Sequence, residues 1–223
     1  MFTKAISRPD SVTADRAQAT ASRRWWFWLP TVFLLGAAGL LVASTNLPYW
    51  GMVLEAPQYP GGLEMRVFVN TITGDEDPTL DEVREIDGLN HYIGMKSLYD
   101  AAAFERSIAI PAIVVMVGLL IVAAFWRRRW TWLLTIPALT FPFVFLGDLA
   151  FWMNHYGQNL DPYAPLSSAI QPFTPPIFGE GVIGQFKTVA SVHTGWYLAV
   201  AGSLLIVAAV IIRLIDQRSQ SKA

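Results

Sequence analysis

The sequence predicts an all-α membrane protein: four transmembrane helices joined by two extracytoplasmic loops, the first of which contains a little β structure. Three observations lead there. The 223 residues are 53% apolar and only 15% charged, whereas an average soluble domain is roughly 25% charged. The apolar residues fall in four long blocks rather than amphipathic stripes, and blocks of about 18 or more read as membrane spans. The cations segregate as well, with eleven of the sixteen Lys and Arg on one side once four spans are drawn.

Residues 1–22 are polar, rich in Ala, Ser, Thr and Arg and without periodicity, which predicts a disordered cytoplasmic tail. The first span covers 23–45, around the apolar block Trp25 to Ala43. The second covers 108–126, the third 130–152, and the fourth 195–215, followed by a short tail at 216–223. At 1.5 Å per residue each block crosses a hydrocarbon core of about 30 Å. Helices are expected because lipid satisfies no open backbone. Trp25, Trp26, Trp28, Trp126, Trp130, Trp132, Trp152 and Trp196 mark the block ends, where an indole favours the headgroup layer. The first block is long for a signal peptide, and Leu47-Pro48-Tyr49 follows it instead of a small-residue cleavage site, so it reads as a retained span.

Direction follows from the cations. Lys4, Arg8, Arg16, Arg23 and Arg24 precede the first span; Arg127 to Arg129 fill the turn between the second and third; Arg213, Arg218 and Lys222 close the chain. The long loops carry only Arg66, Arg84, Lys96, Arg106 and Lys187. The positive-inside rule puts both termini in the cytoplasm of an inner (plasma) membrane protein, with the long loops outside.

The first loop, 46–107, contains Leu63-Glu-Met-Arg-Val-Phe-Val69, whose alternation predicts a strand. A turn is expected at Thr73 to Pro78. Asp81 to Ile86 fits either a returning strand or a short helix, and Ser97 to Arg106 looks helical. The second loop, 153–194, combines Pro162, Pro165, Pro172, Pro175 and Pro176 with Phe173, Ile177, Phe178 and Phe186. It is too apolar for a linker, and predicts an ordered, irregular segment packed on the first loop or on the membrane surface.

Several chemistries are excluded by composition. With no cysteine, disulfides, thiolate zinc sites, iron–sulfur clusters and covalent haem attachment are absent. No phosphate-cradling glycine loop points to ATP, and no basic cluster points to nucleic acid. What remains is histidine and methionine. His91, His155 and His193 all fall on the outer side, as do Met52, Met65, Met95 and Met153, with only Met116 at mid-membrane. Imidazole plus thioether without thiol is a donor set that suits copper, copper(I) above all, and suits zinc poorly.

His91-Tyr-Ile-Gly-Met95 is the sharpest element: on a helix, residues four apart share a face and could hold one metal ion, although Gly88 and Gly94 count against a regular helix. The competing reading is packing of a small outer domain. Asp148, Trp152 and His155 are spaced to line one helical face, and Asp148 is the one acidic residue inside a span, a functional candidate by cost alone. A shallow, hydrogen-bonded Asp148 is the alternative. His193 sits where the second loop re-enters the membrane and could complete a site with His155.

Two stretches carry a resemblance. One is Tyr59-Pro-Gly-Gly-Leu63 with Gly88-Leu-Asn-His-Tyr-Ile-Gly-Met95. The other is His155-Tyr-Gly-Gln-Asn-Leu-Asp-Pro162 with Pro172-Phe-Thr-Pro-Pro176. Together they resemble a family of bacterial four-helix membrane proteins associated with copper-enzyme maturation gene clusters of the nitrous oxide reductase type. The resemblance spans both outer loops, about half the chain. It implies a copper-handling or assembly role. It carries over His91 and Met95, and more weakly His155.

The leading expectation is therefore a non-enzymatic accessory protein that binds or delivers copper at the outer face, with His91, Met95, His155 and His193 as metal candidates. Its partners would be membrane lipid and a periplasmic or membrane copper protein. One rival is an electron-transfer subunit in which His155 and His193 ligate a haem b, or flank a quinol with Asp148 as proton acceptor. Another is a cofactor-free anchor for a periplasmic partner.

Overall fold

In the computed structural model, which describes residues 9–75, 80–128 and 130–220, four long helices carry an antiparallel sheet at one end. In chain order the elements are α1 (Pro9–Ser44), β1 (Trp50–Ala56), β2 (Tyr59–Val67), β3 (Ile72–Thr73), α2 (Glu82–Ile93), α3 (Ala103–Phe125), a 3-10 turn (Thr131–Thr135), α4 (Ile136–Gln158), β4 (Gly179–Ile183), β5 (Phe186–Val192) and α5 (Thr194–Gln220). Four helices are long and apolar enough to cross a membrane, over Trp26–Ser44, Ala103–Phe125, Thr131–Gln158 and Thr194–Gln217. Their flanks expose Val114, Val115, Phe143, Leu204 and Ile211, a surface suited to hydrocarbon rather than water.

α1 packs extensively on α5 and on α3, while α4 leans on α5 and meets α3 only sparingly. Small residues permit the close α1–α5 approach. A Cβ on Gly202 would stand 3.4 Å from the Ala37 carbonyl oxygen, the kind of contact that lets membrane helices pack without a hydrophobic driving force. Polar side chains tie the helices through spare carbonyls. Thr31 Oγ1 donates to the Ala124 oxygen at 3.0 Å, and Ser203 Oγ donates to the Leu139 oxygen at 3.0 Å. The Arg213 guanidinium donates to the Ala123 and Ala124 carbonyls at 2.6 and 3.0 Å, satisfying orphan acceptors at the C-terminus of α3, where a cation is favoured.

The fold departs from the all-α expectation. Strand order is β3-β2-β1-β5-β4, antiparallel throughout. The two loops therefore build one sheet: β1 pairs with β2 of its own loop and with β5 of the other, with Trp50 opposite both Val67 and Val192. The alternation around Leu63 does form a strand. The second loop, expected to be irregular over 153–194, is so only over 159–178. One sheet face buries Trp50, Leu54, Leu63, Met65 and Ala190 with Ile86 of α2, against Phe145, Leu149 and Met153 of α4. Side chains two apart point to the same face, which is why Trp50, Met52 and Leu54 act together.

Other boundaries move too. α1 begins at Pro9, so residues 9–22, expected to be a disordered tail, are helical. Their Ala, Arg and Gln content supports helix, and extending an existing helix needs no new nucleus. Residues 1–8 and 221–223, and 76–79 of the expected turn, lie outside the described residues. α3 starts before Ile108 and α4 runs past Trp152 to Gln158. Asp81 to Ile86 resolves as the start of α2, because the Asp81 carboxylate accepts from the Arg84 N–H at 3.1 Å as an N-cap.

Candidate functional site

α2 ends at Gly94, whose φ of 84° is left-handed. The Met95 N–H donates to the Asn90 oxygen at 2.9 Å and the Gly94 N–H to the His91 oxygen at 3.2 Å, a Schellman closure. His91 thus sits in the last helical turn and Met95 just beyond it. They do not share a helical face: His91 is exposed, its ring edge-on to Tyr92, while Met95 turns inward to line two cavities. Asp87 fixes that inward turn, accepting from Ser97 Oγ at 2.9 Å and from the Leu98 N–H at 2.7 Å.

Two glycines of the motifs, Gly94 and Gly157, are clasps. The Gly94 carbonyl accepts from the Asp161 N–H at 2.9 Å, and the Tyr92 carbonyl from the Leu166 N–H at 3.0 Å. A Cβ at Gly94 would meet the Asp161 backbone at 2.8 Å. Gly157, at the end of α4, is buried against the Phe173 carbonyl and Pro175, and its own oxygen accepts from the Phe173 N–H at 3.0 Å. The Pro-rich segment is thereby laid across the end of α4.

The remaining histidines occupy separate settings. His155 is exposed near the end of α4, stacked on Phe151 with ring centroids 5.9 Å apart. His193 lies at the β5–α5 junction, its imidazole against the Gly51 Cα where a side chain would collide. Its N–H donates to the Tyr49 oxygen at 2.9 Å and its carbonyl accepts from the Trp196 N–H at 3.1 Å. None of the three histidines lines either cavity. Among the described residues, no three His, Asp or Glu side chains converge as a metal site.

The methionines do gather. The smaller cavity, about 70 Å³, lies under the sheet and is lined by Met52, Met65, Met95 and Met153, with Asn90 the one amide. Met52 and Met65 are cross-strand partners on β1 and β2, Met95 follows α2, and Met153 rides on α4. Met65, Met95 and Met153 also line the larger cavity, about 360 Å³, which Met116 of α3 reaches from below. Every methionine after the first residue therefore borders one of two adjoining cavities. The sequence marked these thioethers as outward-lying but could not show that four elements bring them to one place.

The larger cavity opens where α3 and α4 diverge. Its lower wall is apolar, with Ala109, Ala112 and Met116 on α3 facing Phe141, Val144 and Phe145 on α4. Its upper wall carries Glu105 and Arg106 from the first turn of α3, and Asp148, Trp152 and Tyr156 from α4. Arg106 donates through its terminal nitrogen to the Tyr99 carbonyl, but its Nε is buried without a partner, as is the Trp152 Nε1. The Trp152 indole lies near the Asp148 carboxylate yet outside hydrogen-bonding geometry, and stacks on Tyr156 with centroids 5.1 Å apart. Asp148 thus keeps the helical-face relation to Trp152 that spacing predicts, but it faces this cavity and not a histidine. Comparison of the chain with known protein families and with curated proteins gives no significant match.

Proposed function

We propose that this chain is a non-enzymatic membrane accessory protein that binds copper(I) at the extracytoplasmic face and passes it to a copper enzyme under assembly. The observation that supports this is the convergence of Met52, Met65, Met95 and Met153 on a cavity of about 70 Å³, large enough for an ion. Thioethers are soft, uncharged donors that select copper(I) over zinc, calcium or magnesium. A soft monovalent ion also suits a site lined by no carboxylate. The resemblance of the His91–Met95 and His155–Pro162 stretches to copper-cluster membrane proteins points the same way.

The donor set is the methionines rather than the histidine trio. Met65, Met95 and Met153 would hold the ion, Met52 would complete the set, and the exposed His91 imidazole, at the end of α2, would be a solvent-side point of first capture. His155 and His193 have no part in this site. The test is a copper(I) competition titration of the detergent-purified chain against a chromophoric chelator. Each of Met65→Leu, Met95→Leu and Met153→Leu nearly conserves volume and leaves packing close to intact, so each should weaken binding about tenfold or more, which is about 1.4 kcal/mol. Unchanged affinity in the triple variant would discard the site.

A further inference from the structure

The larger cavity has features that a copper site does not need. It is about 360 Å³, within the range of roughly 300–1,000 Å³ usual for small-molecule sites. It lies between two helices that each have the length and apolarity to span a membrane and that meet only sparingly. Its polarity is graded along the helix axes. Near the sheet stand Glu105, Arg106, Asp148, Trp152 and Tyr156; further in, the wall is alanine, methionine, valine and phenylalanine. An occupant that fits has a polar head toward the sheet and an apolar body between α3 and α4.

The head can be specified further. Two donors, Arg106 Nε–H and Trp152 Nε1–H, are buried without a well-formed hydrogen bond, the second with the Asp148 carboxylate beside it, and a buried unmet donor costs about 1–3 kcal/mol. The occupant should supply acceptor oxygens. Two carboxylates, Glu105 and Asp148, face the same space together with two cations, Arg106 and Lys96. The formal charges of these four groups cancel, so a phosphate or carboxylate head gains no net field and meets two acids. A neutral head with carbonyl or hydroxyl oxygens matches both sets: oxygens for the donors, and in a hydroxyl form protons for the carboxylates. The Phe141, Phe145 and Trp152 rings line the same cavity, and aromatic walls suit a planar ring.

We propose that this cavity is a binding site for a lipid-soluble quinone or quinol entering from the bilayer between α3 and α4. The site does not rest on the copper reading: the two cavities share Met65, Met95 and Met153 as a common wall, but each has lining of its own, so the two fail separately. Met52 lines only the smaller cavity and Ala112 only the larger one.

The experiment is equilibrium binding of a short-chain ubiquinone analogue to the purified full-length chain in detergent, read by quenching of tryptophan fluorescence, with a fatty acid and a phospholipid as competitors. Saturable binding is expected, about tenfold weaker in Ala112→Leu, which fills the apolar wall, and in Asp148→Asn, and unchanged in Met52→Leu. If Ala112→Leu does not fold, Asp148→Asn and the competition still decide. Absence of saturable binding in the wild-type chain overturns the site, as does equal binding by all three variants. Displacement by fatty acid or phospholipid at lower concentration than the quinone overturns the assignment of the head, making the cavity a lipid site.

Discussion

Gly94 concentrates several demands on one residue. Its φ of 84° ends α2, its carbonyl receives the Asp161 N–H, and its missing Cβ leaves room for the Asp161 backbone. Left-handed geometry costs an L-residue roughly 1–2 kcal/mol, and the collision adds to that. Gly94→Ala should therefore destabilise the sheet end by about 2 kcal/mol or more, seen as a lower melting temperature in detergent, whereas Gly88→Ala should be neutral or stabilising, because a Cβ there meets nothing within 4 Å and alanine favours helix. Tyr49 makes a pH prediction. It is fully buried, its hydroxyl 2.6 Å from Ser44 Oγ, and burial pushes its pKa up to about 12. An unfolded tyrosine ionises near pH 10, so above that pH the unfolded state holds fewer protons and stability falls with rising pH. The contribution is complete below about pH 10 and lost toward pH 12. Tyr49→Phe should flatten that part of the stability profile, and an unchanged slope would contradict the assignment. At this scale the sequence exposes residue types but not their directions. Met95 and His91 look paired by spacing, yet a helix end between them sends one inward and the other to solvent.

Whether two loops form one body depends on β1 and β5. Trp50 is fully buried, and its Nε1 donates at 2.7 Å to the carbonyl of Ile177 in the other loop. Ala190 is buried on β5 opposite Met52. A charge at Ala190 has no partner within this apolar cluster and should detach the hairpin, so Ala190→Asp is expected to make the first loop cleavable by protease as well as the second. Cleavage confined to the second loop would show that the loops fold independently. The strand β2 was legible because Leu63, Met65 and Val67 alternate with Glu64 and Arg66. β1 and β5 were not, since their signal is mutual: the pairing joins segments from opposite halves of the chain, and Gly51, Ala190 and Ser191 have weak strand preference of their own. The helices were legible nearly to their ends because lipid imposes length and apolarity on the local sequence. The α3–α4 divergence that creates the larger cavity leaves no such local mark.

Across the whole molecule, charge and structure divide along the same axis. The sheet, α2 and both cavities occupy one end of the bundle. At the other, Arg127 lies over the Phe27 ring, 3.6 Å from its centroid, and donates to Thr31 Oγ1 at 3.1 Å, while Arg213 binds the last carbonyls of α3. Trp26, Trp28, Trp126 and Trp130 are exposed around that same end, where indoles sit at a membrane boundary. Under the positive-inside rule a cation-rich end would stay in the cytoplasm, and that would present the methionine cavity to the extracytoplasmic side. The absence of cysteine makes the orientation directly measurable. Val182 on β4 is 72% exposed at the sheet end, and Gln217 is exposed near the end of α5. In intact cells or spheroplasts, a membrane-impermeant maleimide should label Val182→Cys at once and Gln217→Cys only after the membrane is opened. The reverse pattern would place the methionines in the cytoplasm, where delivery to an extracytoplasmic enzyme could not begin from this cavity, and the copper proposal would fail on topology before any affinity was measured.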